Sequence, residues 1–237
     1  MRGIGHFQLW SARLSGAAFL LAVAAGSAQA QAGPDAIYGV TNIEIAASAA
    51  AQGAAALKQY REATRKQPGN IAVELLQEIG APYRLMMFET WKDQASYDAN
   101  EKAAASGELR DKLKPIAGAP YDRRDYHVVS VGPAKAAASN EAVYMQVHLD
   151  VFPPGLTPTL AAVKTVAEAA RKGEGNLRYD VVQGVKPPLS HMTLFAAWQN
   201  RKAFDEYESS NYGRHFRDTV GPLLGSPYDD RLYVTLN

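Results

Sequence analysis

Residues 227–233 read PYDDRLY, and residues 120–126 read PYDRRDY. Sliding the chain by 107 positions superposes Pro, Tyr, Asp, Arg and Tyr, and the match continues upstream without a gap. Trp91 falls on Trp198, Asp98 on Asp205, Glu101 on Glu208, Arg110 on Arg217, Pro115 on Pro222 and Gly118 on Gly225. From Trp91 to Tyr126 there are 12 identities in 36 positions. Unrelated segments of ordinary composition agree at roughly one position in fifteen. Farther upstream, QPGNIAVELLQEI lies on GEGNLRYDVVQGV once a one-residue gap is allowed. The chain is built twice. The period is far longer than a solenoid repeat, so the duplicated unit is a domain.

The first thirty residues stand outside both copies. Arg2 and Arg13 form a positive N-terminal region ahead of a short apolar run, GAAFLLAVAAG, which is followed by the small-residue site AQA at Ala28–Ala30. This pattern predicts a secretory signal peptide cleaved near Ala30, and hence a secreted or periplasmic protein. The apolar run is too short for a membrane span, so no membrane association is expected of the mature form. Cleavage would move the net charge from +1 to about −1, which leaves no basic footprint for nucleic acid. With no cysteine, disulfides, thiolate chemistry and Cys-ligated zinc are excluded. Two domains are expected at 31–131 and 142–237. The Pro/Gly-punctuated stretch GPAKAAASNEA, residues 132–142, lies between them.

Each copy has the same order of elements. An alternating stretch (VTNIEIA, then VYMQVHLDV) leads into an Ala-rich helix over 48–66 or 157–172, with Thr157 as N-cap, Pro158 at N1 and Gly173 at the end. Two strand-like runs follow, then one second helix over 93–112 or 200–220, then a closing strand. That order, β-α-β-β-α-β, is the ferredoxin-like unit. Its sheet carries helices on one face only, and the other face must be buried on something. A second copy is the natural partner. The expected fold is therefore α+β, with two ferredoxin-like repeats packed as an intramolecular α/β barrel, an internal pseudo-dimer.

With MFETW on the third strand, and a helix running through His215-Phe216 to GSPYDDRLY, the chain resembles the antibiotic-biosynthesis-monooxygenase domains of the dimeric α/β-barrel superfamily. The resemblance implies oxidation of a quinol or polyphenol-type aromatic by O2 as co-substrate, without a cofactor. Some relatives degrade haem, which would make haem the ligand instead. Members often carry a histidine about nine residues after the strand tryptophan; here Asn100 and Tyr207 hold those positions. That departure keeps open a second expectation, an exported small-molecule binding protein that kept the barrel and lost the chemistry.

Strand parity selects candidate residues. Thr41, Ile43 and Ile45 share one face of the first strand, and Asn42 and Glu44 the other; Met145, Val147 and Leu149 alternate with Tyr144, Gln146 and His148. The apolar sets belong against the helices, so Asn42, Gln146 and His148 face the space between the sheets. His148 and His215 are the candidate bases, because histidine transfers protons near neutral pH with little tuning. Trp198, Tyr207 and Trp91 are candidates for the wall of a site for a small aromatic substrate, although a large aromatic equally caps a core. His148, His191 and His215 all belong to the second copy, which directs the expected site there. No histidine pair has metal-ligand spacing, no Gly-rich phosphate loop opens a helix, and GEGN at 173–176 reads as a helix stop and turn.

Overall fold

The computed structural model describes residues 32–137, 139–187 and 189–236; the expected signal peptide lies outside them. The first half runs β1 (Ile37–Glu44), α1 (Ala50–Thr64), β2 (Asn70–Glu78), β3 (Ala81–Trp91), α2 (Gln94–Glu101), α3 (Ala104–Leu113) and β4 (Asp122–Ser130). The second runs β5 (Val143–Asp150), α4 (Leu156–Lys172), β6 (Asn176–Gly184), β7 (His191–Trp198), α5 (Arg201–Ser209), α6 (Asn211–Val220) and β8 (Asp229–Thr235).

Two details differ from the sequence reading. The helix α4 starts earlier than Thr157: a 3-10 turn over Pro153–Gly155 feeds it, and Gly155 is its N-cap. The second helix of each half is broken in two. In the second half Ser210 supplies the break, ending α5 in an extended conformation while its hydroxyl accepts from Gly213 N–H and caps α6. Serine competes well for a helix N-terminus and poorly for a helix interior, which favours the break there. The GEGN turn behaves as expected: Gly173 caps α4, and Gly175, at φ 73°, turns the chain into β6 as Gly69, at φ 81°, does before β2.

Each half forms a four-stranded antiparallel sheet, β4-β1-β3-β2 and β8-β5-β7-β6. β2 pairs with β8 and β4 with β6, so the two sheets do more than face each other: their edges join into one closed eight-stranded barrel. Closure removes every exposed sheet edge. The register sets Ile37 opposite Trp91 in the first half and Val143 opposite Trp198 in the second, which fixes the equivalences between copies.

The period of two sorts side chains into two environments. Met145, Val147, Leu149, Leu194 and Ala196 pack against α4, α5 and α6, while Ile43, Val73, Leu75, Leu85 and Met87 pack against α1 and α3. Tyr38, Val40, Leu76, Phe88, Tyr126, Phe195 and Tyr233 point into the barrel. At its centre Phe88 and Phe195, equivalent residues of the two copies, stack at 4.0 Å and 14°. The Arg178 guanidinium lies 4.9 Å from each ring and is ion-paired with Glu74 of one half and Asp180 of the other. Cation–π contact and two carboxylates together satisfy a fully desolvated cation. The barrel is plugged through its middle.

Candidate functional site

Between the sheet and helices of the first half lies a buried acid–base cluster drawn from four elements. Glu89 of β3 is 0 % exposed. Its Oε1 accepts from the Tyr60 hydroxyl of α1 at 3.0 Å, and its Oε2 from Arg123 Nη2 of β4 at 2.9 Å. Asn100 Nδ2 of α2 donates to the Tyr60 oxygen at 2.7 Å, and Arg123 lies 4.3 Å over the Tyr97 ring and also pairs with Glu101. The result is one line of polar contacts, Asn100–Tyr60–Glu89–Arg123. Asn100 Oδ1 and Arg123 Nε are left without a protein partner among the described residues. Buried polar atoms without partners mark places where water or a ligand completes the network.

Gly39 makes room for this cluster. A Cβ on Gly39 would sit 2.9 Å from Tyr97 and 3.2 Å from the Glu89 carboxylate. The equivalent position in the second half, opposite Ala196, is Met145.

Burial pushes the Glu89 carboxyl above the usual carboxylate range, while Arg123 and the Tyr60 hydrogen bond hold it back. Burial likewise raises the phenol of Tyr121, whose neighbours include Tyr60 and Glu89. Tyr121 also lines a cavity of about 290 Å³ walled by Ile43, Ile45, Leu113 and Pro120, with Arg110 and Lys114 among its other residues. This tyrosine thus connects an apolar cavity to the acid cluster.

The second half has none of this chemistry at the same place. Ala196 stands for Glu89, Val166 for Tyr60, Phe204 for Tyr97, Tyr207 for Asn100 and Asp230 for Arg123. The space is filled by rings instead: Tyr207 lies 4.8 Å from Trp198 and 6.4 Å from Phe204, and its hydroxyl is hydrogen-bonded to that of Tyr179 at 2.9 Å.

The sequence candidates therefore fall in three places. Asn42, Gln146 and His148 meet inside one end of the barrel, lining a cavity of about 210 Å³ with Asp122, Arg124, Tyr126, Asp229 and Arg231. That cavity is shared by both halves and does not lie beneath the second half alone. His148 Nε2 faces Arg124 Nη1 at 3.3 Å and so acts as the acceptor. Burial, Arg124 and His191 together lower the His148 pKa to about 4, which keeps the ring neutral at neutral pH. Trp91 is buried on the helix side of the first half, beside Glu89. Trp198 and Tyr207 belong to the aromatic core of the second half.

His215 joins none of them. It is exposed on α6, while Tyr207 is buried on α5. The single helix expected over 200–220 is corrected by the break at Ser210, which puts the two on separate helices. Tyr60, Tyr97, Tyr121 and Arg123 were not singled out from sequence. Parity alone could have found Arg123: it alternates with Asp122 and Arg124 on β4 and so faces the helices.

The antibiotic biosynthesis monooxygenase family model matches residues 36–112 and 142–220, once in each half. Among solved structures, a candidate monooxygenase of Fusobacterium nucleatum is similar with TM-score 0.75 and 14% identity, covering 85% of this chain and 93% of its own. A candidate monooxygenase of Lactobacillus acidophilus gives TM-score 0.69 and 12% identity, covering 86% and 95%. An anthrone oxidase-like protein gives TM-score 0.69 and 8% identity, covering 86% and 92%. At these identities the likeness is one of fold. No curated protein matches the chain in sequence.

Proposed function

The chain belongs to the antibiotic biosynthesis monooxygenase family, and on that premise we propose that it oxidises a small electron-rich phenol or quinol with O2, without a bound cofactor, on the helix side of its first half. What carries this reading is Glu89, a fully buried carboxylate with a raised pKa, joined by hydrogen bond to a tyrosine that neighbours a cavity-lining one. A base whose pKa is raised toward the operating pH is suited to removing a phenolic proton.

The aromatic ring occupies the apolar cavity against Tyr121. Its hydroxyl proton is relayed through Tyr121, which lines the cavity, and Tyr60, which is hydrogen-bonded to Glu89 and Asn100, to the Glu89 carboxylate. Arg123 keeps the carboxylate oriented and prevents its charge from being unpaired. The phenolate then gives one electron to O2, and the two radicals combine at a hydrogen-bearing ring carbon ortho or para to the hydroxyl to form a C–O bond. The resulting hydroperoxide loses its C–H proton and, with the proton held on Glu89, releases water. The balance is substrate plus O2 to quinone plus H2O, one oxygen atom going to each product.

Oxygen uptake with a panel of hydroquinones and phenols, by protein freed of metal and flavin, tests this. Uptake matched by quinone formation is expected, with kcat falling about 10²–10⁴-fold in Glu89→Gln. No uptake by the wild-type protein with any of the panel would favour the binding-protein reading. Loss of turnover in His148→Gln but not in Glu89→Gln would move the site to the barrel end. The same reading takes the protein to be exported, and the mass of the mature form should begin after Ala30; a secreted form retaining residues 1–30 would contradict that.

A further inference from the structure

The end of the barrel where Asn42, Gln146 and His148 meet takes no part in the proposed oxidation. In an eight-stranded antiparallel ring β1 and β5 run the same way, so the pseudo-twofold axis follows the barrel axis. The repeated Asp-x-Arg-x-Tyr of β4 and β8 therefore arrives twice at this one end. Asp122 pairs with Arg124 at 2.9 Å, and Asp229 with Arg231 at 2.9 Å. Half-exposed pairs of this kind contribute about 0–1 kcal/mol to stability. Stability does not explain why both copies keep them, when Glu89, Tyr60, Asn100 and Arg123 have all diverged between copies on the helix side.

The site is the cavity between the pairs, about 210 Å³; a neighbouring cavity of about 450 Å³ shares Asn42, Asp122 and Arg231 with it but reaches on to Tyr121 of the oxidation site and to Glu44 and Glu78, both paired with Arg84. Gln146, 5 % exposed, accepts from Tyr233 through Oε1 at 3.1 Å, and its amide nitrogen has no protein partner among the described residues. Asp229 meets Arg231 through Oδ2 alone, so its other oxygen stays available. The Asn42 amide likewise makes no hydrogen bond within the described chain.

Free donors and a free acceptor thus line the 210 Å³ space, in which Asp122 cancels Arg124 and Asp229 cancels Arg231. A net anion or cation, or a zwitterion, would have to break an ion pair to be held. A hydroxyl group donates and accepts at once, and bridges carboxylate to amide with both ion pairs intact. We propose that this end of the barrel is a binding site for a small neutral polyhydroxylated ligand, a sugar or cyclitol, distinct from the oxidation site.

Titrating the intact protein with glucose, myo-inositol and glycerol, with glycine and inorganic phosphate as contrasts, and following backbone amide shifts by NMR tests the assignment. Saturable shifts at 122–126, 146–148 and 229–233 are expected for at least one polyol. Asp229→Ala and Asn42→Ala, both surface-accessible changes, should each weaken that binding at least about tenfold, while Glu89→Gln leaves it unchanged. Circular dichroism confirms that each variant is folded. Saturation by glycine or phosphate in place of the polyols would overturn the ligand class. Absence of saturable shifts with every probe, or saturation indifferent to both variants, would overturn the site.

Discussion

Glu89 and His148 are both withdrawn from water, with opposite consequences for pH. The folded-state pKa of His148 lies at about 4, below its usual 6.5, so folding is favoured by the neutral ring. That contribution is complete above pH 6.5 and is lost as pH falls through about 4. Since the ring is partly solvated, about 1–3 kcal/mol is expected, less than the bare shift implies. Denaturant unfolding at pH 7 and pH 4 should show the wild type losing this much more than His148→Gln. An equal loss in both would remove His148 from the acid response. Glu89 behaves in reverse: its raised pKa favours the folded state at low pH, and the advantage fades as pH rises through the folded value. Glu89→Ala has a second effect, leaving Arg123 buried with only Glu101 beside it. A cost near the lower end of about 3–5 kcal/mol is expected, whereas Glu89→Gln retains both hydrogen-bonding oxygen and shape. Gly39→Ala tests the same cluster from the strand beneath it: the new methyl must displace Tyr97 or Glu89. Destabilisation of about 1–3 kcal/mol is expected, and a neutral result would mean that the cluster is looser than its contacts indicate.

At the scale of elements, the break between α5 and α6 shows what the sequence conceals. Ser210 caps α6 through Gly213 N–H at 3.0 Å while its hydroxyl donates to Tyr207 O at 2.6 Å. Ser210→Ala should cost about 0.5–2 kcal/mol, measurable by thermal unfolding; a cost near zero would show that packing alone sets the break. Neither proline nor glycine marks Ser210, so the sequence reads as one continuous helix over 200–220. Strand faces were legible for the opposite reason. A period of two is not altered by a shift in where a strand begins, so Gln146 and His148 share a face whether β5 starts at Ala142 or Val143. The acid cluster was the hardest part to see. Its members are single residues of α1, β3, α2 and β4, and an isolated tyrosine in an Ala-rich helix carries no local signal of what lies opposite.

For the whole molecule, duplication decides how the halves hold together. Each half alone would expose the β2 and β4 or β6 and β8 edges and a face bearing Tyr38 and Phe88 or Tyr144 and Phe195. Joined, they bury that face and pair all edges. Arg178 ties the halves at the centre, holding Glu74 of the first and Asp180 of the second while covering both phenylalanine rings. Residues 132–142 carry little of this load: beyond the contacts of Gly132 and Lys135 with β6 and the buried Ala142, the described residues of the stretch are exposed and irregular. A protein cut within that stretch should therefore remain one particle, its two fragments eluting together at the mass of the intact chain and separating only in denaturant. Arg178→Ala removes the shared cation and leaves the buried Asp180 and the half-buried Glu74 without it. It should cost toward the lower end of about 3–5 kcal/mol in the intact chain, and in the cut protein it should let the fragments separate at concentrations where the wild-type pair stays whole. Fragments that part without denaturant in the wild type would show that the covalent link, rather than the closed barrel, holds the two copies together.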